Sequence, residues 1–301
     1  MIRVRNLTKQ FGDKNAVDDV SFEVAAGETL VLLGTSGCGK TTTLKMLNRL
    51  VEPTAGSITI DGRDIGERPL HELRRDIGYV IQDTGLLPHY TIGENIATVP
   101  RLLGWEAKRI RQRTRELLTM LRLPDSYLNR YPDELSGGQR QRVGLARALA
   151  ADPPVVLMDE PFGALDPVTR VGIRREFRRL DALQRKTIVL VTHDVAEAFE
   201  LGDRICLMDQ GRIQQMGPPK ELLSKPANGF VRDFFADQRL NLQLQTTMVQ
   251  DILPYFPHPS AWPLTMPVGE VLNQLTDTKM GNALAAEVLS ALGQYMTHQA
   301  A

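Results

Sequence analysis

The segment that most constrains this chain is Thr29–Leu33, a compact apolar run that leads straight into Gly34-Thr35-Ser36-Gly37-Cys38-Gly39-Lys40-Thr41 and then into the helix-like TTTLKMLNRL. Strand, glycine loop and helix in that order fit the pattern GxxxxGK(S/T) in the context that makes it a phosphate cradle. Glycines let successive backbone N–H groups converge on phosphate oxygens, and the helix N-terminus adds a favourable dipole. Lys40 is placed to reach the β- and γ-phosphates, and the Thr41 hydroxyl, followed by Thr42, to bind Mg²⁺. Cys38 reads as a small loop residue; a thiol at a helix N-terminus also has the makings of a redox sensor.

Further apolar runs at Asp76–Ile81, Val155–Met158 and Thr187–Val191 are separated by helical stretches, which predicts a parallel sheet with helices on both faces. Alternating residues between Met1 and Glu28, and again at Ser57–Asp61, predict a small antiparallel β-layer. No strand-like run occurs between Gln82 and about Asp152, where Ile110, Leu117, Leu118 and Leu121 share a helical face, so an inserted helical subdomain over about 83–152 is expected. Arg204–Met208 and Arg212–Met216 read as a closing hairpin. The composition shifts at about Gln238: prolines break the segment, and Val268, Val271, Leu272 and Leu275 then resume helical spacing behind Pro267.

The run Val155–Met158 ends in Asp159 and Glu160 at the edge of the sheet where ligands bind in open α/β folds. Asp159 is suited to the Mg²⁺ shell and Glu160 to polarising an attacking water. The 301 residues carry 36 Lys and Arg against 36 Asp and Glu, and only two cysteines, which excludes a disulfide framework and favours a reducing compartment. No stretch reaches the roughly 18 to 20 apolar residues of a membrane span.

Leu135-Ser136-Gly137-Gly138-Gln139 resembles the LSGGQ signature of ABC-type ATPases, about twenty residues ahead of Asp159. Around it stand Gln82 after a strand, similar to the Q-loop; Ala164-Leu165-Asp166, similar to the D-loop; and His193 after TIVLVT, similar to the H-loop. Phe11 occupies the place of the aromatic that stacks on adenine. The resemblance covers residues 1 to about 235 and implies an α/β P-loop fold with an antiparallel layer and a helical insertion: an ATPase domain over 1–237 and a C-terminal tail over 238–301. It implies ATP and Mg²⁺ as cofactors, with Thr41, Gln82 and Asp159 toward the metal and Glu160, His193, Gln82 and Lys40 in hydrolysis. The signature residues Ser136, Gly137, Gly138 and Gln139, with Asp166, imply a nucleotide held between two protomers, in a homodimer or with a similar chain.

Heptad coiled coils, a second ATPase module and fused membrane helices are all missing from the sequence, which resembles an importer ATPase whose permease is a separate chain. Residues 77–100, Leu145–Pro161 and Ile188–Asp203 resemble the osmoprotectant branch, importers of glycine betaine, choline and related quaternary amines. That resemblance implies a permease contact over about Gln82–Thr91, an extracytoplasmic solute-binding protein, and a peripheral place on the cytoplasmic face of the cell membrane. Polyamine, amino-acid or phosphate importers and a nucleic-acid-linked ABC ATPase are the alternatives. Residues 101–122 and 170–186 are each net +5; without interleaved aromatics they read as solvated faces near anionic headgroups, not as a nucleic-acid site. Many members of the branch end in a pair of CBS modules. The residues after Gln238 are too few for a complete pair and leave a single degenerate module or a dimerisation tail.

Overall fold

The structure is a computed structural model that describes residues 1–300 other than 83, 164, 166, 179, 181, 182, 184, 256–261 and 277–280. Its two compact units are Met1–Ile213 and Gln214–Ala301.

The first unit is built on strands β1 (Ile2–Phe11), β2 (Lys14–Val24), β3 (Thr29–Gly34), β4 (Ala55–Ile60), β5 (Arg63–Asp64), β6 (Ile77–Val80), β7 (Val155–Asp159), β8 (Thr187–Thr192) and β9 (Arg204–Asp209), with β10 (Arg212–Gly217) returning from β9. One sheet has the order β2-β1-β4-β5 with antiparallel pairing, and the other the order β10-β9-β3-β8-β7-β6. Strands β9, β3, β8, β7 and β6 run parallel, so their C-terminal ends share one edge. Leu30–Leu33, Val155–Met158, Ile188–Val191 and Ile205–Met208 are at most 2% exposed. A parallel sheet covered on both faces demands such continuous apolar runs, and each buried Leu or Val contributes about 1.5–3 kcal/mol. The strands expected at 29–33, 76–81, 155–158 and 187–191, and the closing hairpin, all form.

Helix α1 (Lys40–Leu47) follows β3, and α2 (Leu70–Arg75) precedes β6. Between β6 and β7 the described residues hold no strand; they form α3 (Ile92–Leu102), α4 (Ala107–Met120), short 3₁₀ turns and α5 (Gly137–Leu149). Leu117, Leu118 and Leu121 are buried as their spacing predicts. Thr91 starts α3 and Ser136 starts α5, each with a reciprocal capping box to the residue three positions on, Glu94 and Gln139. Helices α6 (Pro167–Arg178) and α7 (Val195–Leu201) flank β8 in sequence.

The second unit holds α8 (Pro219–Ser224), α9 (Gly229–Phe234), α10 (Arg239–Thr246), α11 (Val249–Ile252), α12 (Val268–Thr276) and α13 (Gly281–Ala300). The helix expected after Pro267 is α12. Val268, Val271 and Leu275 pack with Val249, Ile252, Val288, Ala291, Leu292 and Tyr295 into a separate core. Beyond these helices, the described residues after Gln238 add a 3₁₀ turn, Leu253–Tyr255, and a single bridge, Met248 to Pro267.

Candidate functional site

The shared edge of the parallel strands gathers the residues singled out in the sequence. Register explains why. Val80 is level with Met158, so Gln82 and Glu160, each two residues further on, meet; Asp159 is level with Val191, which brings His193 to the same place. Gln82 Nε2 donates to Glu160 Oε2 at 3.2 Å, and His193 Nδ1 lies 3.1 Å from Glu160 Oε1. Glu160 has a φ of 45°, a left-handed conformation that costs a non-glycine residue roughly 1 kcal/mol or more. Its amide is anchored to the Val191 carbonyl.

The loop between β3 and α1 is held against its neighbours by two glycines. A Cβ on Gly34 would lie 2.1 Å from the Met208 carbonyl oxygen, and one on Gly39 2.3 Å from that of Ala16, and both positions have left-handed φ. No other residue fits either place. The Cys38 carbonyl accepts from the Gly211 amide, and Thr35 Oγ1 donates to Asp209 Oδ1. Thr35, Ser36 and Gly37 are exposed along the rim, Thr42 is half-buried, and Cys38 is buried with its Sγ 3.6 Å from Lys40 Nζ.

Lys40 is only 5% exposed, and its ammonium is folded back on the Gly34 and Thr35 carbonyls at 2.9 and 2.8 Å. Thr41 Oγ1 donates to Asp159 Oδ1 at 2.8 Å. Burial raises the Asp159 carboxyl above the usual carboxylate range, opposed by the Thr41 hydrogen bond and by Lys45 and Lys40, while Glu160 adds to the rise. Burial, and then the charge of Asp159, also pushes the Tyr79 phenol up. A hydroxyl beside a buried carboxylate is a hard-oxygen pair that a small divalent cation fits, with phosphate and water completing its shell.

Other candidates lie away from this cluster. Phe11 is 53% exposed at the β1–β2 turn, with Lys9 Nζ over its ring 4.9 Å from the centroid. Ser136 is exposed at the start of α5, with Gly137, Gly138 and Gln139 half-buried behind it. Gln139 Nε2 donates to the Tyr127 hydroxyl. In the Ala164–Asp166 segment, Leu165 is buried, whereas Asp166 lies outside the described residues. Of the strip Leu86–Tyr90 that the osmoprotectant resemblance sets against a permease, Leu86 is half-buried and Leu87, Pro88, His89 and Tyr90 are exposed in succession.

Sequence reasoning missed two groups near the site. Glu197 on α7 is 3% exposed and accepts from the Thr192 hydroxyl, next to His193. Burial above all, with Asp194 adding, pushes its carboxyl up to about 8 against the pull of Thr192, Arg174 and Arg170. Arg170 donates to the Leu165 carbonyl and lies 3.5 Å from Asp194, tying the segment after Glu160 to the one after β8. Only the basic run at 170–186 hinted at either.

Residues 17–163 match the ABC transporter family profile. The chain is 50% identical over 283 residues to the osmoprotectant import ATP-binding protein OsmV of Salmonella typhimurium, covering 92% of this chain and 74% of OsmV. It is 52% identical over 241 residues to the glycine betaine/carnitine/choline transport ATP-binding protein OpuCA of Bacillus subtilis, covering 80% of this chain and 63% of OpuCA, somewhat less than two thirds of that relative's length. Over 244 residues it is 52% identical to the glycine betaine uptake system ATP-binding protein YehX of Escherichia coli, covering 81% and 79% of the two chains. Among solved structures, the dimeric post-hydrolysis state of the ATP-binding cassette MJ0796 bound to ADP and Pi superposes with a TM-score of 0.65 at 35% identity, over 72% of this chain and 98% of that one. With the phosphate loop, the signature and the Glu160 cluster on this fold, the chain belongs to the ABC transporter ATP-binding proteins and is an ATP-hydrolysing cassette.

Proposed function

We propose that this cassette powers an importer of osmoprotectants such as glycine betaine, choline or other quaternary amines, as a peripheral subunit on the cytoplasmic face of the cell membrane. The observation that carries the reading is the pairing, in one chain, of a hydrolytic half-site around Glu160 with an exposed apolar strip, Leu87–Tyr90, that begins five residues after Gln82. The half-site supplies work and the strip a surface for a permease over about Gln82–Thr91. The names of the similar proteins point to the solute class. Among the described residues no helix is long and apolar enough to cross a membrane; in this reading translocation belongs to a partner chain. An extracytoplasmic binding protein completes the system. The ATPase domain is assigned to 1–237, past the boundary between compact units, on the reach of the motifs and the composition shift at about Gln238; residues 238–301 form the tail.

In this reading the Gly34–Thr42 loop receives the phosphates of ATP through backbone N–H groups, and Lys40 exchanges its two carbonyls for phosphate oxygens. Thr41, Asp159 and Gln82 would hold Mg²⁺, which when bound neutralises phosphate charge. Glu160 accepts a proton from the attacking water, and Gln82 and His193 on its two oxygens fix the carboxylate in place. Phe11 stacks on adenine. Ser136–Gln139 of one protomer face the nucleotide of a second copy or a similar chain, so ATP closes the pair and hydrolysis opens it; Asp166 is assigned to nucleotide binding from the D-loop resemblance alone.

ATP-dependent uptake of glycine betaine or choline by the complex, reconstituted with permease and binding protein, is the expected result. Failure with both, together with uptake of a polyamine, amino acid or phosphate, would overturn the branch. Tight, salt-sensitive RNA binding without a membrane partner would overturn the importer.

A further inference from the structure

The strip after Gln82 is not free chain. Asn95 on α3 is fully buried, and its side chain serves four backbone groups: Oδ1 accepts from the Leu87 amide at 2.8 Å, while Nδ2 donates to the carbonyls of Leu87, Tyr90 and Thr91, each at 3.1 Å. At the other end, Arg147 on α5 donates Nη1 to the Gly85 carbonyl at 2.6 Å and Nη2 to the Thr84 carbonyl at 2.7 Å. Thr84 and Gly85 have φ of 58° and 51°, a left-handed pair that presents successive carbonyls to one guanidinium fork. Both are charge-assisted bonds to a planar group, stronger and more directional than neutral ones. Gln82, two residues before Thr84, is tied instead to Glu160 at the sheet edge.

The chain therefore changes allegiance between 82 and 84, from the parallel sheet to the helices. Arg147 stands ten residues beyond Gly137 on the same helix, about 15 Å along its axis. Helix α3 in turn packs on α5, and we infer that Arg147 on α5, with Asn95 on α3, is a positioning residue that makes the strip and these two helices one body, so that displacement of Leu87–Tyr90 by a permease reaches Ser136–Gln139 as movement of the whole helix α5. This rests on the strip being the permease contact. Neither side chain touches nucleotide-binding groups. Their partners are backbone carbonyls and an amide, so the clamp leaves no mark of residue type on the strip it holds.

The test uses the full chain in two arms. Arg147→Met removes the donors and keeps most of the stem; Arg147→Lys keeps the charge and replaces the rigid planar fork with a single ammonium. In the isolated chain, the Thr84 amide, which closes the gripped turn onto the Ile81 carbonyl, and the Leu87 amide beyond it are expected to exchange hydrogen at least tenfold faster in the Met variant and at an intermediate rate in the Lys variant, with β3 and β8 amides and ATP affinity unchanged. Equal exchange in all three proteins, or acceleration spread over the entire chain, would overturn the clamp. In the reconstituted complex, solute-stimulated ATP hydrolysis is expected to fall at least tenfold in the Met variant while unstimulated hydrolysis stays within twofold, with partial rescue by Lys. A parallel fall of both rates would overturn the coupling role. Should wild-type complex show no stimulation, the importer reading fails, and the exchange arm still decides whether Arg147 holds the strip.

Discussion

The nucleotide edge of the first unit and the helical core of the second satisfy opposite demands. At the edge, Lys40 and Asp159 are buried, Glu160 is held in a left-handed conformation, and Gly34 and Gly39 sit where a methyl group would strike a carbonyl. Each of these is unfavourable in itself and is offset by a hydrogen bond or by the covered sheet beneath. In the second unit the buried set is Val249, Ile252, Val268, Val271, Leu275, Val288, Ala291, Leu292 and Tyr295, apolar but for one phenol. There, side-chain volume is what matters, and Leu for Ile or Met would serve almost as well. Residue identity is dictated by chemistry in one place and by packing in the other, and that difference decides how far function can be read.

If the contrast holds, a small change at the edge removes function and leaves the fold, while a small change in the second unit does the reverse. Lys40→Ala should weaken ATP binding by about a hundredfold, since charge-assisted hydrogen bonds to phosphate contribute about 1.5–3 kcal/mol. Calorimetric titration with a non-hydrolysable analogue reads this, and unchanged affinity would contradict the phosphate-loop assignment. Leu292→Ala, at a position 1% exposed, should cost about 2–4 kcal/mol in thermal or denaturant unfolding of the second unit while ATP affinity stays within twofold. A large loss of ATP affinity in that variant would erase the distinction between the regions.

Glu197 tests the contrast at its border, a carboxyl buried close to the site with no part in the proposed chemistry. With its folded value near 8 and its ordinary value 4.5, the group is protonated in the folded protein at neutral pH and ionised in the unfolded chain. Its contribution to stability is fully present below about pH 4.5 and is lost as pH rises through 8, with a limiting slope of about 1.4 kcal/mol per pH unit. Glu197→Gln, which carries no ionisable proton, should flatten the decline of melting temperature between pH 5.5 and 8. Identical profiles for the two proteins would show that Glu197 is ionised in the fold.

Much of the first unit was legible because its elements carry their own signals. The apolar runs of β3, β7 and β8 are too continuous for anything but a covered sheet, and the glycine loop between β3 and α1 admits few alternatives. The meeting of Gln82 with Glu160 across 78 positions was expected from resemblance, and the register of β6 on β7 gives its physical cause. Arg147 and Asn95 were not legible, because a side chain that grips backbone leaves no pattern of types at its target. Glu197 stands in the first turn of a helix capped by Asp194, an ordinary place for a carboxylate, and its burial depends on the packing around Thr192, Arg170 and Arg174. In the second unit the spacing of Val268, Val271, Leu272 and Leu275 already marked the face of α12 that packs into the core, yet a face made only of packing residues names no ligand.

The central claim is that Glu160, held between Gln82 and His193, takes the proton from the attacking water. Glu160→Gln keeps the shape and hydrogen-bonding capacity of the side chain and removes the base. Single-turnover ATP hydrolysis by this variant, measured with ATP binding checked in parallel, is predicted to fall at least a hundredfold with affinity retained. Undiminished turnover at unchanged affinity would contradict the account.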